Sequence, residues 1–121
     1  MINLDFIAAQ AATKLETVDS KDKQNAVEKS ISVLSSQGIF AMFLYMYAKK
    51  GGKIAEVLLD TLREQEFIIF DSHTQLNNPK KVLDSLTLKL NNFQKIRFIE
   101  DVVMRILTYA RHYYKSINEK E

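Results

Sequence analysis

The chain has 121 residues, the length of one ordinary domain, and its 46% hydrophobic and 26% charged residues exclude a disordered protein. It has no cysteine, three glycines and one proline, which excludes disulfides, thiolate metal sites and glycine-rich phosphate loops and disfavours a many-turned β-fold. The net charge is only +2, but residues 71–121 carry nine basic and six acidic side chains, so the positive excess lies in the last third.

The first half of the chain predicts three helices. The first covers about residues 2–18, where apolar residues recur at spacings of three and four. The second runs from about Asp22 to Ser36, and the polar stretch that ends at Gly38 then interrupts the chain. The third, about Ile39–Lys50, is apolar all round, which predicts a helix buried on every side.

The second half predicts three more helices, of which the last is the longest. The fourth covers about Lys53–Glu66, and the stretch Phe67–Phe70 is either its end or a short extended plug. Pro79 suits the first turn of a fifth helix, about Pro79–Leu90. The sixth runs from about Asn92, a plausible N-cap, to Ile117, about 25 residues that would span roughly 38 Å.

These elements predict an all-α fold: a compact single domain over residues 1–121, with five or six helices and a long C-terminal helix. The longest apolar run, Ile39–Ala48, is too short for a bilayer, which needs about 20 residues. The N-terminal stretch has no basic region and carries Asp5, unlike a signal peptide. We therefore expect a soluble cytoplasmic protein without membrane contact.

The outer face of the last helix is the main candidate site. At 100° per residue, four cations share an arc of about 120° with His112, opposite the apolar stripe: Arg97, Arg105, Arg111 and Lys115. Such a row could neutralise successive phosphates of a nucleic-acid backbone. The alternative is an ordinary solvated face, in which Glu100 and Asp101 pair with the arginines.

Two further groups could assist such a face. Lys49, Lys50 and Lys53 flank a glycine turn, where backbone amides could also meet an anion, although they could equally be a charged helix end with solubilising lysines. The aromatic side chains that border the last helix could stack on bases, although core packing is their usual role: Tyr109, Tyr113 and Tyr114.

The sequence predicts no catalytic residue, no metal site and no cofactor. His73 and His112 lie far apart, and no carboxylate pair has a convincing catalytic spacing. Arg105 and His112 lie seven residues apart on one helix face, which resembles the motif of HEPN-type ribonucleases. There the histidine would transfer a proton and the arginine would stabilise the phosphorane charge. The residue after the arginine, usually polar in that motif, is Ile106 here.

Three features in chain order carry a second resemblance. The first is the early alanine-rich helix Ala8-Ala9-Gln10-Ala11-Ala12. The second is a helix, a polar break at Gly38 and a hydrophobic helix that ends in Lys49-Lys50. The third is a long C-terminal helix that opens with Ile96-Arg97 and closes on Tyr109-Ala110-Arg111. In these features the chain resembles the small helical subunit of the type III-B CRISPR–Cas effector, the Cmr complex.

The resemblance implies a non-catalytic role in antiviral defence. Such subunits stack in several copies along a filament, opposite larger subunits that grip the guide RNA, and they help to hold the target RNA. The implied partners are the other Cmr subunits, further copies of this chain, and the backbones of guide and target RNA. Two alternatives remain: a HEPN-type ribonuclease dimer and a protein-interaction adaptor without RNA contact.

Overall fold

The computed structural model describes residues 3–14, 20–49, 52–65, 67 and 78–119, of which 20–23 and 117–119 are described by their backbone alone. This part of the chain forms six helices and no strand: α1 (Leu4–Thr13), α2 (Ser20–Gln37), α3 (Ile39–Ala48), α4 (Gly52–Glu64), α5 (Pro79–Lys89) and α6 (Phe93–Glu119). The predicted all-α bundle with a long C-terminal helix is confirmed. Lys50, His73 and the stretch 68–77, which includes most of the predicted plug, lie outside the described residues.

Asparagine side chains set the beginnings of three helices. Each accepts a hydrogen bond from the backbone N–H three residues later, at 2.9–3.2 Å: Asn3 for α1, Asn78 for α5 and Asn92 for α6. Pro79 occupies the first turn of α5, where its missing N–H costs nothing. The predicted cap at Asn92 and the predicted position of Pro79 are therefore confirmed.

Helix α6 is the spine of the bundle, because α1 and α2 both pack along it and α3 contacts it. The predicted apolar stripe is buried at Ile99, Val103, Ile106 and Ala110. Tyr114 is also in the core, at 1% exposure, as the usual core-packing role of these tyrosines predicts. Burial raises the pKa of its hydroxyl to about 12, and the neighbouring Tyr113 adds to this effect.

Helix α3 is only partly buried, so the prediction of a helix buried on every side is wrong. Its core face is fully enclosed: Ile39, Met42, Phe43 and Met46. On another face Leu44 is 52% exposed, and Ala48 is exposed too. A helix that is apolar all round has no amphipathic pattern, so its sequence cannot indicate which strip its neighbours leave open.

The junction between α2 and α3 is a single residue, Gly38, which depends on α6. Its φ of +99° and ψ of −178° lie in a region that is essentially restricted to glycine. The N–H of Ile39 donates to Glu100 Oε2 at 3.1 Å, so a carboxylate of α6 caps α3 and opposes the positive end of its dipole. This contact fixes the beginning of α3 against the first third of α6.

Candidate nucleic-acid interface

Two of the predicted cations form the open part of the candidate interface. Arg97 and Lys115 are both exposed on α6. They lie 18 residues apart, five full turns, and therefore share one line along the helix about 27 Å long. His112 is exposed near the same line. Along this line the predicted cationic face is open to a ligand.

Arg97 is oriented by an aromatic ring. Its guanidinium carbon lies 4.8 Å from the centre of the Phe93 ring, a cation–π contact within one turn of α6. Phe93 itself is 68% exposed. The nearby Phe98 is less exposed than Phe93, and its ring meets the Phe67 ring edge-on with 5.2 Å between the ring centres. The planar Arg97 group thus lies on a ring and keeps its N–H donors for other partners.

Arg105 is not a free cation. Its Nη1 donates to Asp5 Oδ1 at 3.2 Å and its Nε to Asp101 Oδ2 at 3.3 Å. The pairing with Asp101 follows the alternative derived from the sequence, in which acidic neighbours on α6 neutralise the arginines. The pairing with Asp5 depends on the packing of α1 on α6, and no local pattern indicates it. Two carboxylates therefore balance this charge.

Arg111 also differs from the prediction of a fully solvent-side cation. The residue is only partly exposed, and its Nε is buried without a hydrogen-bond partner among the residues that the structure describes. A buried guanidinium nitrogen without a partner is energetically costly, and its charge makes an anion the natural acceptor for the rest of the group. Because Arg111 is only partly exposed, it lies at the border of the open line rather than within it.

The lysines predicted at the glycine turn flank the connection between α3 and α4. Lys49 and Lys53 are exposed, and Lys50 lies outside the described residues. Helix α3 is fixed to α6 at Ile39, and Lys49 lies ten residues further along, about 15 Å down the α3 axis.

A groove between α1 and α6 is the feature that sequence reasoning missed. It has a volume of about 320 Å³ and is lined by Ala9, Ala12, Thr13, Tyr109, His112 and Tyr113. Together with the Asp5–Arg105 pair, these residues show that α1 runs parallel to α6. The tyrosines were recognisable from the sequence as possible stacking groups, but their position opposite small α1 residues depends on this helix pairing.

The possible ribonuclease pair is not arranged around a common point. Arg105 is held by Asp5 and Asp101, whereas His112 lines the groove. Seven residues correspond to two turns, so the two residues are separated by about 10 Å along the α6 axis. This spacing is the one that carries the ribonuclease resemblance, so what the structure adds is that Asp5 and Asp101 bind Arg105 within one chain.

Comparisons with protein-family models, curated proteins and solved structures find no match to this chain. Within the residues that the structure describes, no group of three or more His, Cys, Asp or Glu side chains could hold a metal ion. In the same part of the chain, every helix is too short or too polar to cross a membrane.

Proposed function

We propose that this protein is a non-catalytic small subunit of a type III-B CRISPR (Cmr) effector complex and that it helps to hold target RNA. The observation that supports the proposal best is the exposed line of Arg97, His112 and Lys115 along the longest helix. A phosphate backbone is a row of negative charges, and the two cations Arg97 and Lys115 would each neutralise one of its phosphates. The family resemblance adds the partners: other Cmr subunits, copies of this chain and guide and target RNA.

The proposal assigns different roles to the seven predicted RNA-binding residues. Arg97 and Lys115 contact phosphates directly, and Arg111 joins them at the border of the line. Arg105 contributes less, because Asp5 and Asp101 already balance its charge. We assign the turn lysines Lys49, Lys50 and Lys53 an assisting role in binding the RNA backbone, as predicted from the sequence.

The cationic line suits RNA binding by an assembly of several copies better than RNA binding by a single chain. Two to four phosphate contacts on a rigid helix give only non-specific affinity, with a Kd of roughly 10⁻⁴–10⁻⁶ M at physiological salt. When several copies follow one strand, the contacts repeat and the effective concentration raises the overall affinity. The modest net charge of +2 is consistent with a subunit that depends on its neighbours.

Purification of the tagged protein from its native host tests the assignment to the complex. We expect larger protein subunits and guide RNA to co-purify, to be identified by mass spectrometry and by sequencing. Protein partners without RNA would instead support the adaptor alternative. A protein that purifies alone, or as a simple dimer, would contradict the proposal.

A pair of double variants tests the cationic line. Arg97→Ala with Lys115→Ala should weaken binding of single-stranded RNA and lower the slope of log affinity against log salt by about 1.4, since each lost phosphate contact removes about 0.7. Lys80→Ala with Lys89→Ala is the matched control, because both lysines are exposed on α5. Each variant lowers the net charge equally, so an equal loss of affinity in both would contradict a localised site.

A further inference from the structure

The groove between α1 and α6 lies beside the cationic line and shares His112 with it. We propose that this groove binds a nucleobase of the RNA strand whose phosphates follow the line. This inference rests on the proposed function, since it adds base contacts to a backbone-binding face. It makes the groove a binding site for unpaired, rather than duplex, RNA.

The shape and lining of the groove suit a flat aromatic ligand. Its volume of about 320 Å³ is at the small end of ligand-binding cavities. The α1 side consists of the small residues Ala9, Ala12 and Thr13, which leave space. The α6 side is aromatic, with Tyr109, His112 and Tyr113. Proteins bind splayed-out bases by stacking them on such rings.

Tyr109 is the residue best placed for stacking. Its side chain remains 38% exposed, although it lines the groove. Tyr113 is more enclosed, packs against the core and meets Tyr114 edge-on, with ring centres 5.9 Å apart. Tyr113 can therefore act as a fixed wall, while Tyr109 and His112 offer accessible ring surface. This arrangement gives one rigid and two open aromatic surfaces.

The polar groups around the groove favour a base that carries an amino group. The Thr13 hydroxyl donates to the Gln10 carbonyl oxygen at 2.7 Å, so it faces further partners only as an acceptor. The exocyclic amines of adenine, cytosine and guanine project from the ring toward such an acceptor, whereas uracil offers only its ring N3–H. Adenine also offers a large stacking surface. Oligoadenylate is therefore the appropriate probe, and oligouridylate is the comparison.

Charge favours RNA over an apolar protein side chain as the occupant. None of the six lining residues is acidic, and Lys115 follows His112 by one turn on the exposed side of α6. A base in the groove would thus have its phosphate within reach of a cation. An apolar side chain would fill the same space but would leave the adjoining cationic line without a partner.

The decisive experiment compares two RNA strands of equal length and charge, a labelled oligoadenylate and its abasic counterpart, by fluorescence anisotropy on the full chain. Tyr109→Ala should weaken oligoadenylate binding by about tenfold, since one lost stacking contact typically has an effect of that order. Abasic binding should be unchanged. Tyr109→Phe, which keeps the ring, should retain the wild-type affinity for oligoadenylate.

Phe98→Ala is the matched control, because Phe98 is on the same helix and is 41% exposed, close to the value for Tyr109. It should leave both affinities unchanged. Thr13→Val should reduce the preference for oligoadenylate over oligouridylate without affecting the abasic strand. These variants alter exposed positions, and circular dichroism will verify that each retains its helical content.

The possible outcomes separate this inference from the proposed function. If both strands bind equally and Tyr109→Ala has no effect, the groove does not bind bases, whereas the cationic line still stands. If neither strand binds above the level of the Arg97/Lys115 double variant, both proposals fail. If Tyr109→Ala spares RNA binding but releases a protein subunit from the purified complex, the groove is a protein-docking site and the nucleobase assignment is wrong.

Discussion

Two of the contacts that helix α6 makes with neighbouring helices differ in kind, one with α3 and one with α1. At the first, the Glu100 carboxylate accepts from the Ile39 backbone and lies beside Gly38, whose φ of +99° few other residues can adopt. At the second, Asp5 and Arg105 form an exposed ion pair above an open groove. The first contact is built from backbone geometry and a helix cap. The second is the exposed edge of the α1–α6 packing, whose other face buries Ile7, Ala8 and Ala11.

This difference indicates where the protein can bind and where it cannot. A helix cap at a glycine-restricted turn tolerates little change, because its donor and acceptor positions are fixed by two packed helices. Exposed ion pairs contribute little to stability and exchange partners readily. The exposed edge of the α1–α6 packing therefore has the properties of a binding surface, whereas the cap between α3 and α6 has those of a structural support.

The largest effect on stability is expected at the contact between α3 and α6. Gly38→Ala places a Cβ 3.3 Å from Glu100 Oε2 and forces alanine into a glycine-only conformation. The free energy of unfolding should fall by about 1–3 kcal/mol, to be measured by urea denaturation. Helix α3 should lose protection first in hydrogen exchange, since its beginning depends on this turn.

Gly52→Ala is the control for that prediction. Gly52 begins α4, and a Cβ there would meet no atom within 4 Å. Alanine should leave stability unchanged or raise it by up to about 1 kcal/mol, because it restricts the unfolded chain. Equal losses in the two glycine variants would show that the turn at Gly38 has no special role.

The sequence indicated the turn at Gly38 better than it indicated the packing of α1 on α6. The break at Gly38 was visible because glycine after a polar stretch interrupts two helical patterns, but its partner Glu100 lies 62 residues away in the sequence. On α6, periodicity separated the buried stripe from Arg97 and Lys115, but not fully from Arg111, whose Nε is buried. It could not reveal that Asp5 neutralises Arg105 or that α1 forms a groove against Tyr109, because both depend on the pairing of distant helices.

A smaller effect on stability, with an informative effect on binding, is expected at the contact between α1 and α6. Arg105→Ala should lower the free energy of unfolding by less than about 1 kcal/mol, since both of its ion pairs are exposed. It should also weaken RNA binding less than Arg97→Ala does. Asp5→Asn should have the opposite effect on RNA: it frees part of the Arg105 charge, which should raise the affinity and steepen the salt dependence.

Asp84→Asn provides the comparison for this charge change, because Asp84 is exposed on α5 and the substitution alters the net charge equally. If Asp84→Asn raises RNA affinity as much as Asp5→Asn does, the gain reflects overall charge, and Arg105 is not part of the RNA-binding face. A gain confined to Asp5→Asn would place Arg105 at the edge of that face.

The last prediction is that there is no effect at all: we expect no catalysis by Arg105 and His112 at the α1–α6 contact. We expect the pure protein to leave labelled RNA intact in the presence of divalent cations, and His112→Ala to change nothing in that assay. A proton donor and a charge-stabilising arginine must converge on one phosphate. Here two carboxylates already bind Arg105, so it is not free to meet a phosphate beside His112 within one chain. Cleavage that depends on both His112 and Arg105 would show that two chains combine these residues across a dimer, and the ribonuclease alternative would then replace the proposed RNA-holding role.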